Sequence, residues 1–245
     1  MQGPYPIFCR AHSGGRLLCE VFIIRNGIEM GYHVDERKDT KHFSAKNPII
    51  REIVLNSMDY YSSSNEQKQY FQNLMKQCVD QFIKQQVQRW FSPKRPFGWK
   101  MGTTLFTMPV VLDTFPDAKV IHLIRDGRDV MLSRNNSRFK NINDPLNKLV
   151  IFGNALTDNY EGHALTPETI NTYRNELEML YWVTAVSYGI KGRKYDDRYL
   201  EVKYEDICTD PLQTIQKIFD FLEIPFLKST QRWIKENAHS NRIGK

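Results

Sequence analysis

Ile7-Phe8-Cys9-Arg10-Ala11-His12-Ser13-Gly14-Gly15-Arg16-Leu17-Leu18 is the stretch whose reading decides the fold. A short apolar run follows a proline. A polar turn with two glycines comes next, and then Leu17, Leu18, Val21, Phe22 and Ile24 recur at helical spacing. This predicts a buried strand, a tight turn and a helix. A second unit of the same kind lies further on. Ala118-Lys119-Val120-Ile121-His122-Leu123-Ile124 is strongly β-prone, ends at Arg125-Asp126-Gly127-Arg128-Asp129, and is followed by a helical pattern from Val130 to Phe139.

Other elements fill the space around these two. Ser63 and Glu66 have capping-box spacing and open a long amphipathic helix ending near Trp90. Phe97-Gly98-Trp99-Lys100 reads as a short strand, with a helix over about 105–115. Thr166-Pro167-Glu168 opens a helix to about Ser187, and Asp210-Pro211 one to Leu222. Tyr199–Tyr204 is a third main strand, and a last helix covers about 228–237. The polar segments Gly27–Pro48 and Asn141–Gly162 read as mostly irregular. Strands alternating with helices predict an α/β fold, a three-layer α/β/α arrangement around a mostly parallel sheet, in one domain over residues 1–245. Ligands of such sheets bind beyond the carboxyl ends of the strands, where the turns 10–16 and 125–129 sit.

The chain has 245 residues, 41% hydrophobic and 25% charged, which excludes collagen-like, mucin-like and mostly disordered classes. Lys+Arg is 34 against Asp+Glu 28, and a net charge of +6 favours anionic ligands. The basic residues are dispersed and no aromatic-basic platform is visible, so no nucleic-acid partner is expected. No apolar run is long enough to span a membrane, and the N-terminus lacks the basic start and apolar stretch of a signal peptide. With Cys9, Cys19, Cys78 and Cys208 in no paired spacing, the expectation is a reduced, cytoplasmic protein. His33, His42, His163 and His239 have no metal-ligand spacing, and no metal is expected.

The first turn can bind an anion. Its glycines let backbone N–H groups approach closely, Ser13 offers a hydroxyl and Arg16 a guanidinium. It lacks GxxxxGK[ST], so an ATP-hydrolysing loop is disfavoured. Arg125 ends a strand, and Ser133 follows about two helical turns on, so the pair can clamp a second phosphate. Asp126 and Asp129 are the alternative partners of Arg125.

Together the turns resemble the PAPS-dependent sulfotransferases, which use 3′-phosphoadenosine 5′-phosphosulfate. Arg10–Leu18 is similar to that family's 5′-phosphosulfate loop. Ala118–Val130 with Ser133 is similar to its 3′-phosphate motif. Trp99-Lys100, Tyr199–Asp206, Asp210-Pro211 and Phe221-Leu222 match further segments. The resemblance implies a P-loop NTPase-like sulfotransferase fold and transfer of a sulfuryl group from PAPS to a hydroxyl or amine, leaving PAP, with no metal. It implies that His12, Ser13, Gly14, Gly15, Arg16 and Leu17 bind the 5′ end, and that Arg125 and Ser133 hold the 3′-phosphate. His12 and Lys100 would stabilise the bridging oxygen.

The chain departs from the pattern at His12, Gly15 and Arg16, and at Gly102, where proline is usual. A basic C-terminal motif is begun or missing at Asn241–Lys245. Asp35, Glu36, Asp39 and His42 are the candidate bases, and the resemblance favours Glu36, since several family members place a carboxylate at about this distance from the loop. The acceptor reads as a small molecule, a carbohydrate or a lipid headgroup. The competing readings are a catalytically weak or inactive PAP-binding protein and a nucleotide-dependent kinase.

Overall fold

A computed structural model describes residues 3–21, 26–31, 36, 38–87, 95–132, 139–154 and 157–237. Strands β1 (Ile7–Cys9), β2 (Val120–Ile124) and, after a separate two-residue hairpin, β5 (Tyr199–Lys203) form a parallel sheet in the order β1-β2-β5. The hairpin pairs β3 (Asn159–Tyr160) with β4 (His163–Ala164). The predicted strand at 97–100 is present as an edge segment. Tyr5 and Ile7 donate to the carbonyls of Phe97 and Trp99 at 2.8 and 2.9 Å, and Glu29 pairs parallel on its far side.

The pleat sorts the core into two faces. Ile7, Ile121 and Leu200 share one register position, and Cys9, Leu123 and Val202 another. They point to a cluster that also holds Leu18, Ile215, Phe219 and Ile234, from α1 (Gly15–Glu20), α10 (Pro211–Leu222) and α11 (Lys228–Asn237). Phe8, Val120 and Tyr199 point the other way. They meet residues of α2 (Pro48–Asn56), α3 (Asn65–Val87), α4 (Met108–Thr114), α6 (Pro145–Phe152) and α8 (Arg174–Gly189). Both faces of a parallel sheet are thus covered, which is why its strands are short and apolar. The arrangement is the α/β architecture expected from the sequence.

Helix starts follow one rule. At α10, Asp210 accepts from the Gln213 N–H at 3.1 Å with Pro211 at the first position, and Thr166 caps α7 (Pro167–Thr172) in the same way. The same pair, cap then proline, opens α2 at Asn47-Pro48 and α6 at Asp144-Pro145. Four expectations need correction. The capping box of α3 is one residue later, between Ser64 and Gln67 at 3.1 and 3.2 Å. The helix over 105–115 is a 3-10 turn, Gly102–Thr107, followed by α4. Pro109 clashes with the carbonyl four residues back and cannot sit inside a continuous helix. Segment 141–162 holds α6 rather than irregular chain, and the helix from Thr166 breaks at Tyr173 into α7 and α8.

His122 is a satisfied core residue, as the sequence suggests. Its Nδ1 lies 2.6 Å from the Tyr199 hydroxyl, which donates to Glu201 at 3.0 Å. A side chain at Gly189 would stand 2.1 Å from the imidazole, so α8 can reach the sheet here only with a glycine. Burial holds the His122 pKa down at about 4, against an ordinary 6.5. The folded chain therefore keeps a neutral imidazole while the unfolded chain protonates first. The resulting stability is complete above pH 6.5 and is lost as pH falls toward 4. Urea unfolding at pH 7 and pH 5 should show a loss of about 2 kcal/mol from this group, and His122→Phe should remove that part of the loss.

Candidate active site

The two polar turns meet at the carboxyl ends of β1 and β2. Gly14 adopts φ 86°, a conformation glycine takes without strain, and turns the chain into α1. A side chain there would lie 2.2 Å from the ring of Tyr204, the first residue of α9 (Tyr204–Thr209). Arg125 lies over the other part of this ring, its guanidinium carbon 4.8 Å from the centroid. Arg125 also donates to the His12 carbonyl at 3.1 Å, and its own carbonyl accepts from the Trp182 indole at 2.9 Å. Tyr204 and Arg125 therefore fasten the first turn to the second, and the Trp182 indole holds the second turn to α8.

The electrostatics are those of an anion cradle. His12 and Arg16 are exposed and Ser13 is buried; at the start of α1 the Leu17 N–H donates to the Gly14 carbonyl at 2.9 Å, while the Gly15 and Arg16 N–H groups have no acceptor within the helix. Arg125 has an ion pair with Asp129 at 3.5 Å, the partner anticipated from sequence, but its Nε is buried with no acceptor. Asp126 is taken by Arg128 at 2.6 Å. That hydrogen bond pulls its carboxyl down to about 2, so Asp126 does not neutralise Arg125. Glu205 fixes the turn from below by accepting the Asp126 N–H at 2.9 Å.

Beneath the first turn, Arg10 is buried between Glu178, with which it forms an ion pair, and the ring of Tyr181, 4.3 Å from its guanidinium. It also donates to the Ala11 carbonyl at 3.0 Å. Lys100 is buried beside α1, its Cε 3.1 Å from where a side chain on Gly15 would begin, and its Nζ is 2.5 Å from Asp39. Asp39 in turn lines a cleft of about 670 Å³ whose other walls carry Lys41, His42, Lys46, Asn47, Gln81 and Met101.

The structure thus brings together His12, Ser13, Gly14, Gly15, Arg16, Leu17, Arg125 and Lys100. Ser133 and the C-terminal motif lie outside the described residues, as does Asp35. Glu36 is exposed and does not line the cleft. Tyr204, Trp182 and the Arg10–Glu178 pair were not foreseen from sequence as parts of the site, because contacts across 57 to 190 residues leave no local pattern. Among the described residues, no group of three His, Cys, Asp or Glu side chains gathers to hold a metal, and no helix is long and apolar enough to cross a membrane.

Residues 11–228 match the model of the sulfotransferase family, which takes in both turns, Lys100, the cleft and α8 to α10. The chain belongs to the sulfotransferase family. This sulfotransferase chain is 27% identical over 144 residues to carbohydrate sulfotransferase 3 of Mus musculus. That match covers 56% of the chain but 27% of the relative, so the chain spans about a quarter of the length of that curated protein. Among solved structures it resembles the sulfotransferase domain from the curacin biosynthetic pathway, with a TM-score of 0.53, 14% identity, and 94% of this chain and 77% of that one covered. A sulfotransferase of Mycobacterium tuberculosis gives a TM-score of 0.52 at 14% identity, over 95% of this chain and 71% of the other. At such identities the likeness is one of fold.

Proposed function

We propose that this chain transfers a sulfuryl group from PAPS to a hydroxyl of a polar, carbohydrate-like acceptor and releases PAP. The observation that carries the reading is the direct fastening of Arg125 to the His12 carbonyl, which sets two anion-binding turns on one rim. An adenosine bisphosphate has anionic groups at both ends of one nucleoside. The residues fit it: the buried, orphaned Nε of half-buried Arg125 is a donor in want of an anion, and the first turn offers Ser13, Arg16 and the backbone N–H groups of Gly15 and Arg16 at the start of α1. In this reading the loop from His12 to Leu17 holds the 5′ end, and Arg125, with Ser133, holds the 3′-phosphate. PAPS supplies the activated sulfuryl group. The chain places fixed donors and cations where charge develops on the leaving oxygen, Lys100 and His12 being nearest.

The cleft beyond Asp39 supports the acceptor class. Among the described residues its lining carries lysines, amides and a hydroxyl beside Pro48, Ile49 and Met101, with no phenylalanine, tyrosine or tryptophan. A saccharide, with many hydroxyls, would find donors and acceptors, and the name of the mouse relative points the same way.

The test pairs calorimetry of PAP with transfer from labelled PAPS to a panel of neutral and acidic oligosaccharides. One-to-one binding with label on at least one saccharide is expected. No binding of PAP contradicts the proposal. His12, Gly15 and Arg16, which replace the residues expected in the loop, favour a second reading as a nucleotide-binding protein without turnover. Tight PAP binding with no transfer to any acceptor would select it.

A further inference from the structure

We infer that Asp39 is the proton acceptor of the transfer and that its ion pair with Lys100 is a resting clamp opened by the nucleotide; this rests on the PAPS reading above. Asp39 has two faces. One oxygen is 2.5 Å from the Lys100 Nζ, and the residue also lines the acceptor cleft. Lys100 lies against the first residue of α1, so its ammonium is within reach of the 5′ loop as well as of Asp39. While the two are paired, the ammonium is held by a carboxylate and one carboxylate oxygen is engaged by the ammonium. An incoming phosphosulfate competes for the ammonium. As Lys100 turns to it, the Asp39 oxygen it held is released to accept a hydrogen bond from an acceptor hydroxyl in the cleft.

The transfer then balances. The acceptor oxygen forms a bond to sulfur, and the bond from sulfur to the bridging phosphate oxygen breaks. The electron pair of that bond stays on the PAP oxygen beside Lys100, and the acceptor proton passes to Asp39. The other groups considered from sequence are worse placed. His42 also lines the cleft and donates through Nε2 to the Cys78 carbonyl at 2.9 Å, but Asp39 is the one in contact with Lys100, and Glu36 does not line the cleft. The arrangement arms the base only when the donor is bound, which couples acceptor activation to nucleotide binding.

The experiment measures PAP affinity of the full chain as wild type, Asp39→Asn, Lys100→Met and the double variant, with thermal melts to confirm folding. Asp39→Ser replaces Asp39→Asn should the latter not fold. Asp39→Asn should bind PAP roughly three- to tenfold tighter than wild type, because Lys100 is already released. In the Lys100→Met background the same substitution should change affinity less than about twofold. Equal tightening in both backgrounds would mean simple removal of a negative charge and would overturn the clamp, as would no tightening at all. With labelled PAPS and the oligosaccharide panel, Asp39→Asn should transfer at least about 100-fold more slowly despite its tighter nucleotide. Undiminished transfer overturns the base role. Wild type that does not bind PAP overturns the PAPS reading, and this inference with it.

Discussion

Arg125→Ala should weaken PAP binding by about 30- to 150-fold, the effect of removing a partly buried guanidinium from a phosphate at about 2–3 kcal/mol. The loss should be selective. Adenosine 5′-monophosphate, which lacks the 3′-phosphate, should bind wild type and variant with nearly the same affinity. The control matters because Arg125 does two things. It donates to the His12 carbonyl at 3.1 Å, and its buried Nε has no partner within the protein. If Arg125 acted only by propping up the first turn, both nucleotides would lose affinity alike. Calorimetry with the two ligands separates these outcomes, and parallel losses would remove the 3′-phosphate role.

The second large effect concerns the buried pair under the first turn. Glu178→Ala should cost about 3–5 kcal/mol of folding stability, because it leaves the Arg10 guanidinium buried without its carboxylate. For a chain of this size that is a fall in melting temperature of about 6–20 °C. The pair is not a source of stability in itself. Burial pushes the Glu178 carboxyl above its ordinary range, and Arg10 and Arg174 only partly pull it back. The double variant Arg10→Met with Glu178→Leu should therefore recover most of the lost stability. It should not recover PAP affinity, because Arg10 also holds the Ala11 carbonyl and so sets the path of the turn. A double variant that melts like wild type and binds PAP as well would show that the pair has no part in placing the loop.

The two cases mark what could be read from the sequence. The strand–turn–helix units beginning at Ile7 and Ala118 were legible because each is local: an apolar run, a glycine turn and a helical period; the second helix, expected over 130–139, spans Gly127–Leu132, and 133–138 lie outside the described residues. Helices α10 and α11 appear over the predicted residues for the same reason. The cap-then-proline signal was equally present at Asn47-Pro48 and Asp144-Pro145, but the polar residues around them hid α2 and α6. Turns that share one rim could be expected from the topology of parallel sheets. The fastening itself could not, since Tyr204 and Trp182 reach the turns from distant parts of the chain. The candidate bases show the same limit. The family resemblance favoured Glu36, whereas Asp39 alone of the described carboxylate candidates touches Lys100 and lines the cleft.

Hydrogen exchange of the full chain with and without PAP tests the central claim most directly. If one nucleotide spans both turns, amide exchange should slow at residues 13–17 and at 124–130 together, with a single saturation curve for the two segments. Protection confined to one turn, or two curves with different midpoints, would show that the turns do not hold opposite ends of one ligand.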